Sequence, residues 1–358
     1  MGVWLGRNEI LTLTTHPRLT THNPQRKTIK FMFNKTISKK ILEQIKKSRS
    51  ILLAFHVSPD PDCLSSVLAM NLFLKSLGKE TKIISYSKIP PKYWELPGME
   101  VVDIEDFANQ DFKKFDLFIA LDMAQDWMIT RSEYPKSFPK EFKIINIDHH
   151  TTNPNFGDIN LVAPLSSTAE LLYNLFKDWK VEITKEIADL LMLGIFADTG
   201  CFQYPMTTPE TLRAAAELME KGASIWENVV YNFRSYNFLT LKYWGKILEN
   251  IKMDISGKFV WSTISKEERE ELEIEPTEIQ DAASNFAPIV EGTEFGIILN
   301  EESENLVRGS MRSRDGFDVS KIAVALGGGG HKQAAGFTVK ANLAEAEKKV
   351  LEIARKLV

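Results

Sequence analysis

The sequence predicts an α/β protein in which a mostly parallel sheet domain is followed by a smaller α+β domain. Short apolar runs alternate with segments of helical periodicity from Ile37 onward, a pattern typical of parallel strands joined by crossover helices. Several runs are continuously hydrophobic, which indicates strands covered on both faces. A second set of strands, closed by an amphipathic helix, follows Lys252.

Apolar periodicity and capping residues set the predicted elements. Continuous apolar runs of strand length lie at 51–55, 82–86, 117–121, 143–147, 258–262 and 295–299. Helical spacing is found at 41–45, 64–77, 167–177, 185–196 and 343–357. Ser38 is suited to cap the first helix, Asp62 or a neighbour to start the second, and Gly78 to end it.

We expect four segments. Residues 1–31 are rich in Thr and basic residues and nearly free of acids, which predicts a disordered extension or a start site placed too early, with a transit peptide as the alternative. Residues 32–225 form the first domain and 252–358 the second. Residues 226–251 form an aromatic-rich helical connector, whose rings are expected to pack between domains or subunits, with base stacking as the alternative.

Composition excludes several classes of protein. The 358 residues are 44% hydrophobic and 26% charged, enough for two folded domains. A net charge of −4 argues against coating long nucleic acid. Two cysteines, Cys63 and Cys201, provide no disulfide framework and indicate a reducing compartment. No apolar run is long enough to span a bilayer, so we expect a cytoplasmic protein without membrane association.

Histidines and aspartates cluster where predicted strands end. The clusters are His56, Asp60 and Asp62; Asp122; Asp148, His149 and His150; and Asp198. Because open parallel sheets place functional loops at the carboxyl ends of their strands, we expect these clusters to meet. Pro59 and Pro61 are expected to hold Asp60 and Asp62 on a stiff, extended loop, with both carboxylates facing similar directions.

The donor types favour a pair of metal ions. Asp62 or Asp122 alone would more often be a cap or turn residue. However, adjacent His149 and His150 would be costly to desolvate in a purely structural site, whereas neutral imidazole binds transition metals well. Carboxylates and imidazoles without a thiolate set favour manganese, with magnesium, iron or cobalt as alternatives. Two such ions activate water for phosphate ester hydrolysis.

These segments resemble the four ordered motifs of the DHH phosphoesterase superfamily: His-Val-Ser-Pro-Asp-Pro-Asp, Leu-Asp, Asp-His-His and Ala-Asp-Thr-Gly. Later, Gly309-Ser-Met-Arg-Ser and Gly327-Gly-Gly-Gly-His-Lys-Gln-Ala-Ala-Gly-Phe resemble the DHH-associated domain of RecJ-like enzymes and the NrnA group. The resemblance covers residue 35 to the end. Cys63 and Ser65 depart from the usual Ala and Gly. Cys63 is predicted as a small core residue, with a metal contact or a redox switch with Cys201 as alternatives.

The resemblance implies residue roles in the first domain. It implies two metal positions bridged by Asp122, with His56, Asp60 and Asp122 on one, and Asp62, Asp122, His149 and Asp198 on the other. Asp148 would orient a histidine. His150 would contact the scissile phosphate or assist the leaving group, so that His150, Asp122 and Asp148 form the predicted catalytic set.

In the second domain, glycines and basic residues are the predicted substrate contacts. The glycine run suits backbone amides that approach an anion, with a flexible loop as the alternative. Two arginines on a predicted strand are two residues apart and can face one side to bind a phosphate; the later one could instead be a surface residue. The predicted substrate-binding residues are Arg312, Arg314, Gly328, Gly329, Gly330 and His331.

The resemblance to the NrnA group implies hydrolysis of short oligoribonucleotides, such as dinucleotides, to mononucleotides and of 3′-phosphoadenosine 5′-phosphate to AMP, in a cleft between the two domains. The compact chain favours this over a RecJ-like single-strand exonuclease. A cyclic dinucleotide phosphodiesterase, a family II pyrophosphatase and a catalytically inactive nucleotide-binding module are the alternatives. A homodimer is a further expectation.

Overall fold

The computed structural model describes residues 34–233, 237–272, 289–314, 316–330 and 332–358. The predictions for residues 1–31 and for His331 therefore lie outside the described residues. The chain divides into two compact units between Val229 and Val230. Within the described ranges, no helix has both the length and the apolar character that crossing a membrane requires.

The first unit contains a six-stranded, fully parallel sheet. Its strands are β1 (Ser50–Ala54), β2 (Glu80–Ser85), β3 (Val102–Ile104), β4 (Leu117–Leu121), β5 (Lys143–Asp148) and β6 (Ile159–Val162), and its helices are α1 (Lys35–Lys47), α2 (Pro61–Ser76), α3 (Thr168–Asp178), α4 (Lys185–Asp198) and α5 (Pro209–Glu220). Helix α6 (Ile225–Phe233) spans the division between the units. The strand order is β3-β2-β1-β4-β5-β6. From β1 the sheet grows in one direction through β2 and β3, and from β4 it grows in the other direction through β5 and β6. The switch point in strand order therefore lies between β1 and β4, and open α/β sheets bind their ligands at such a point.

Burial explains why the central strands are continuously apolar. Every residue of β4 is buried, and so are the last four residues of β1. Helices cover the sheet, and α2 buries twelve of its residues. A strand covered on both faces has no solvent side for polar residues, which explains its continuous apolar sequence. The predicted strands at 51–55 and 117–121 are confirmed, with bounds that differ by at most one residue.

One predicted helix start is wrong and the other is confirmed. Helix α1 begins at Lys35, with the Asn34 side chain accepting the Ile37 N–H at 3.1 Å, while Ser38 is buried and donates to Asp178 Oδ2 at 2.5 Å. Helix α2 begins at Pro61, a neighbour of Asp62 as predicted, and is capped by Asp60, whose Oδ1 accepts the Cys63 N–H at 3.0 Å.

Pro61 is the first residue of α2, where its missing N–H costs no hydrogen bond. Asp62 therefore lies in the first helical turn, and the predicted extended loop with two parallel carboxylates does not form. Asp62 is fully buried, whereas the Asp60 side chain is about half exposed.

The second unit contains a mixed sheet. It comprises α7 (Phe238–Glu249), β7 (Lys252–Met253), β8 (Phe259–Ile264), α8 (Lys266–Glu271), β9 (Phe295–Ser303), β10 (Leu306–Ser313), α9 (Ser320–Ala325), β11 (Gly329–Gly330), β12 (Ala334–Val339) and α10 (Leu343–Leu357). The strand order is β11-β12-β10-β9-β8-β7, with only β8 and β9 parallel among the described pairs. Phe259, Phe295 and Phe337 share one core with α9 and α10. The predicted fold class is confirmed.

Candidate active site

The predicted residues of the first unit meet at the carboxyl edge of the parallel sheet. His56 follows the end of β1 by two residues, Asp122 directly follows β4, and Asp148 ends β5. These three strands are neighbours in the sheet. Asp198 is the last residue of α4 and joins them from outside the sheet.

Asp122 stands between two imidazoles. Its Oδ1 lies 3.5 Å from His149 Nε2, and its Oδ2 lies 4.0 Å from His56 Nε2. His56 Nε2 is also 3.9 Å from Asp60 Oδ1, and His149 Nε2 is 3.3 Å from Asp198 Oδ2. One oxygen toward each imidazole is the arrangement that a carboxylate bridging two cations requires.

Asp62 completes the second side of this cluster. Ligand atoms of Asp62, His149 and Asp198 lie within 4.8 Å of one another. Both Asp62 oxygens accept backbone N–H groups at the start of α3, from Thr168 at 2.7 Å and Ala169 at 3.0 Å. The amino end of this helix thus fixes the orientation of a fully buried carboxylate.

The backbone at Asp122 has a left-handed conformation, with φ of 58°. Its N–H donates to Ile147 O at 3.1 Å, which ties the turn to β5. Asp tolerates this conformation better than most residues, but the strain must be offset by surrounding structure. Such strain is concentrated at functional sites, where it holds a side chain in one direction.

The carboxylates have pKa values that fit a site for cations. Burial, then the charge of Asp60, raises the pKa of Asp62 to about 7. Burial, then the charges of Asp62 and Asp60, raises the pKa of Asp198 to about 9. Burial and the charges of four other aspartates raise the pKa of Asp122 well above its ordinary value. Divalent cations would neutralise these mutually repelling oxygens, so the residues fit a metal centre.

The pKa values of the two histidines after β5 shift in opposite directions. Burial, then the neighbouring charge of His150, lowers the pKa of His149, which favours the neutral imidazole that metals bind. Burial opposes protonation of His150, but its hydrogen bond to Asp148 and the charges of Asp148, Asp60 and Asp62 together outweigh burial and raise the pKa of His150. His150 Nδ1 lies 2.8 Å from Asp148 Oδ1, so the histidine that Asp148 orients is His150.

Three further residues support the cluster and were missed from sequence. The Thr168 hydroxyl donates to Asp122 Oδ1 at 3.0 Å, and Asn153 Nδ2 donates to Asp148 Oδ2 at 2.6 Å. A Cβ at Gly194 would lie 2.5 Å from Asp62 Oδ1, so this position of α4 leaves room for the carboxylate. The only sequence signal was a glycine inside an apolar helical run.

Replacing Thr168 by Val is expected to weaken manganese binding by roughly tenfold, as loss of a hydrogen bond to a metal ligand usually does. Val keeps the shape of the side chain but lacks the hydroxyl that fixes Asp122 Oδ1. Calorimetric titration of the metal-free variants measures this affinity. Thr168→Ser keeps the hydroxyl and should bind manganese nearly as tightly as the original protein. Equal weakening by Val and Ser would contradict the role of the hydroxyl.

The metal-free protein is expected to lose stability as the pH rises. Asp62 and Asp198 have folded pKa values of about 7 and about 9, against 3.8 ordinarily. A raised folded pKa means that the folded state holds more protons, so stability is greatest below the ordinary value and falls through the raised one. The Tm should therefore decline as the pH rises through about 7 toward about 9. Saturating manganese should flatten this decline, and an identical profile with and without manganese would refute the metal fit.

Two of the predicted substrate residues of the second unit, Arg312 and Arg314, have structural partners. Arg312 lies on β10 and donates to Met311 O at 3.0 Å. Arg314 is exposed, lies one residue beyond β10 and donates to Val290 O, so the prediction that both arginines share the strand is wrong for Arg314.

The glycine run approaches β12 closely. Gly328 N–H donates to Ala323 O at 2.8 Å, and Gly329 and Gly330 form β11 against β12. A Cβ at Gly328 would lie 2.2 Å from Gly336 O, which gives a packing reason for glycine there. Gly328 also lines a cavity of about 450 Å³ with Arg308. Anion binding by this segment stays a prediction.

A parallel sheet that gathers carboxylates and imidazoles at its switch point is typical of a metal-dependent enzyme. Residues 50–195 match the DHH family N-terminal domain, and residues 256–358 match the DHHA1 domain. The chain belongs to the DHH family, in its NrnA-like group, and is a phosphoric ester hydrolase.

Known proteins support this assignment. Over 310 residues, 85% of this chain and 89% of the relative, the chain is 34% identical to the bifunctional oligoribonuclease and PAP phosphatase NrnA of Thermus thermophilus. It is 28% identical over 180 residues to a probable manganese-dependent inorganic pyrophosphatase of Streptococcus equi subsp. equi, covering 48% of this chain and 55% of the relative. The crystal structure of an exopolyphosphatase-related protein from Bacteroides fragilis superimposes on this chain with a TM-score of 0.83 at 25% identity. The match covers 91% of this chain and 97% of the Bacteroides fragilis chain.

Proposed function

We propose that this chain hydrolyses short oligoribonucleotides to mononucleotides, and 3′-phosphoadenosine 5′-phosphate to AMP, with water activated between two divalent cations. The observation that supports the two-metal mechanism is the position of Asp122, with one oxygen toward His56 and the other toward His149. The substrates are supported by the similarity to the Thermus thermophilus oligoribonuclease and PAP phosphatase.

The proposed ligand sets follow from this cluster. His56, Asp60 and Asp122 hold one cation, and Asp62, Asp122, His149 and Asp198 hold the other. We infer manganese, with magnesium, iron or cobalt as alternatives, from the oxygen and imidazole donors. When bound, such ions would supply a water of lowered pKa and neutralise charge on the phosphoryl oxygens.

His150 supplies a proton in this proposal. Its ring is 40% exposed, unlike that of His149 at 10%, so a substrate can reach it. The hydrogen bond to Asp148 favours the protonated imidazole. A protonated His150 at the scissile phosphate would donate to the leaving oxygen as a general acid.

We propose that residues 32–225 form the catalytic domain and residues 252–358 the substrate-binding domain. The residues proposed to bind the substrate phosphates are Arg312, Arg314, Gly328, Gly329, Gly330 and His331.

Arg312→Ala is expected to raise the KM for a dinucleotide about tenfold or more, because a hydrogen bond to a charged group contributes about 1.5–3 kcal/mol. Metal content should not change. Steady-state kinetics and metal analysis measure the two effects. Arg49→Ala is the control, since Arg49 pairs with Glu80 at the opposite, amino edge of the parallel sheet. A variant that loses metal instead would contradict a substrate-binding role.

Purified protein with manganese and a panel of phosphoesters tests the activity itself. Turnover of a linear dinucleotide and of 3′-phosphoadenosine 5′-phosphate is the expected result. Preference for cyclic di-AMP, for pyrophosphate or for a long single strand would instead establish a cyclic dinucleotide phosphodiesterase, a pyrophosphatase or a RecJ-like exonuclease. Binding without any turnover would indicate an inactive nucleotide-binding module.

A further inference from the structure

A cysteine thiol lies beside one of the proposed metal positions. Cys63 is in the first turn of α2, directly after Asp62, and is completely buried. Its Sγ accepts the backbone N–H of His56 at 3.5 Å. The thiol therefore lies against the loop that carries His56, at the end of β1.

The thiol shares its surroundings with two proposed ligands. Single ligand atoms of His56, Cys63 and Asp122 all lie within 4.8 Å of one another, and all three residues are buried. His56 Nε2 and Asp122 Oδ2 lie 4.0 Å apart. A nitrogen, a sulfur and an oxygen therefore lie close enough together to share one cation.

Sulfur changes which cation such a group prefers. Thiolate is a soft ligand, and mixed sulfur, nitrogen and oxygen donors suit zinc or cobalt better than manganese or magnesium. The group formed by Asp62, His149 and Asp198 offers only oxygen and nitrogen. The two positions therefore differ in donor chemistry, although they share Asp122.

We propose that Cys63 is a ligand of the cation held by His56 and Asp122, and that it biases this position toward zinc or cobalt over manganese. The proposal rests on the metal centre proposed above. On binding, the Cys63 S–H bond is replaced by a sulfur–metal bond, and the proton passes to solvent. No electron is transferred, so no oxidant or reductant is needed.

Cobalt absorption spectroscopy tests the proposal, because a Co²⁺ ion bound by a thiolate has a sulfur-to-cobalt charge-transfer band in the near ultraviolet. Metal-free protein titrated with Co²⁺ should show this band together with the visible d–d bands of bound cobalt. The chain has only two cysteines. Cys201→Ala is the matched control and should keep both features, since Cys201 belongs to none of the donor groups found among the described residues.

Cys63→Ala and Cys63→Ser should keep the d–d bands and lose the charge-transfer band. Competition between Zn²⁺ and Mn²⁺ gives a second readout, in which Cys63→Ala is expected to reduce the preference for zinc by roughly tenfold or more. An unchanged preference would overturn the proposal.

The outcomes separate this proposal from the proposed function. Visible d–d bands without a charge-transfer band in the original protein would overturn the role of Cys63 and leave the metal centre in place. A charge-transfer band that disappears in Cys201→Ala would do the same. Failure of the original protein to bind Co²⁺, Mn²⁺ or Zn²⁺ would overturn the metal centre itself, and the role of Cys63 with it.

Discussion

An Asp122→Asn variant is expected to hydrolyse dinucleotides at least about a thousandfold more slowly, since metal ions contribute several kcal/mol to such reactions and each 1.36 kcal/mol is tenfold in rate. Asn has nearly the same shape and tolerates the left-handed backbone of residue 122. It lacks the charge that two cations would share. Initial rates with saturating manganese measure the loss.

The same substitution should not destabilise the metal-free protein. Burial and neighbouring carboxylates already raise the pKa of Asp122 well above its ordinary value, so an uncharged side chain suits its surroundings. The variant should therefore unfold at a Tm no lower than that of the chelator-treated original. Asp103→Asn, on the edge strand β3, is the control and should keep full activity. Activity within tenfold of the original in Asp122→Asn would refute the bridging role.

Gly194→Ala is expected to have the largest effect on stability of any glycine-to-alanine change in a helix described here. The added Cβ would lie 2.5 Å from Asp62 Oδ1 and Ser65 Oγ and 2.6 Å from Ala169 Cβ. Overpacking of this kind costs about 1–3 kcal/mol. Displacing Asp62 should also weaken metal binding, because its carboxylate cannot keep both hydrogen bonds to α3.

Gly245→Ala provides the matched control. Gly245 also lies inside a helix, α7, but a Cβ there would meet nothing within 4 Å. Alanine should stabilise that helix by about 0.5–1 kcal/mol. Urea unfolding and manganese titration of the two variants measure both effects. If Gly194→Ala were as stable as Gly245→Ala and bound manganese equally well, the close packing of α4 against Asp62 would be refuted.

The parallel sheet was predictable because burial on both faces leaves a direct trace in sequence. The runs ending near His56, Asp122 and Asp148 are strands. Parallel strands place their carboxyl ends on one edge of the sheet, independently of the conformation of the connecting loops. The convergence of those residues could thus be predicted without any knowledge of distances. The amphipathic helix at 343–357 was predicted with the bounds that α10 has, since its polar and apolar residues separate cleanly by helical period.

The missed features depend on contacts between distant segments. Thr168 contacts Asp122 across 46 residues and Asp62 across 106, and no local pattern predicts such pairs. The cap of α2 was ambiguous in sequence because Asp60 and Asp62 both suit a helix start. Pro61 is the first helical residue, and the residue before it, Asp60, is therefore the cap. Cys63 was predicted as a core residue, and its burial is confirmed. Its place beside His56 and Asp122 arises from the packing of α2 against the end of β1.

Electron paramagnetic resonance of protein freed of metal and then saturated with Mn²⁺ alone tests most directly whether Asp122 bridges two cations. The predicted result is two manganese ions per chain with the spectrum of an exchange-coupled pair, as expected for ions about 3.5–4 Å apart. Asp122→Asn should lose that coupling. A single manganese per chain, or two ions with the spectrum of isolated Mn²⁺, would contradict a shared carboxylate.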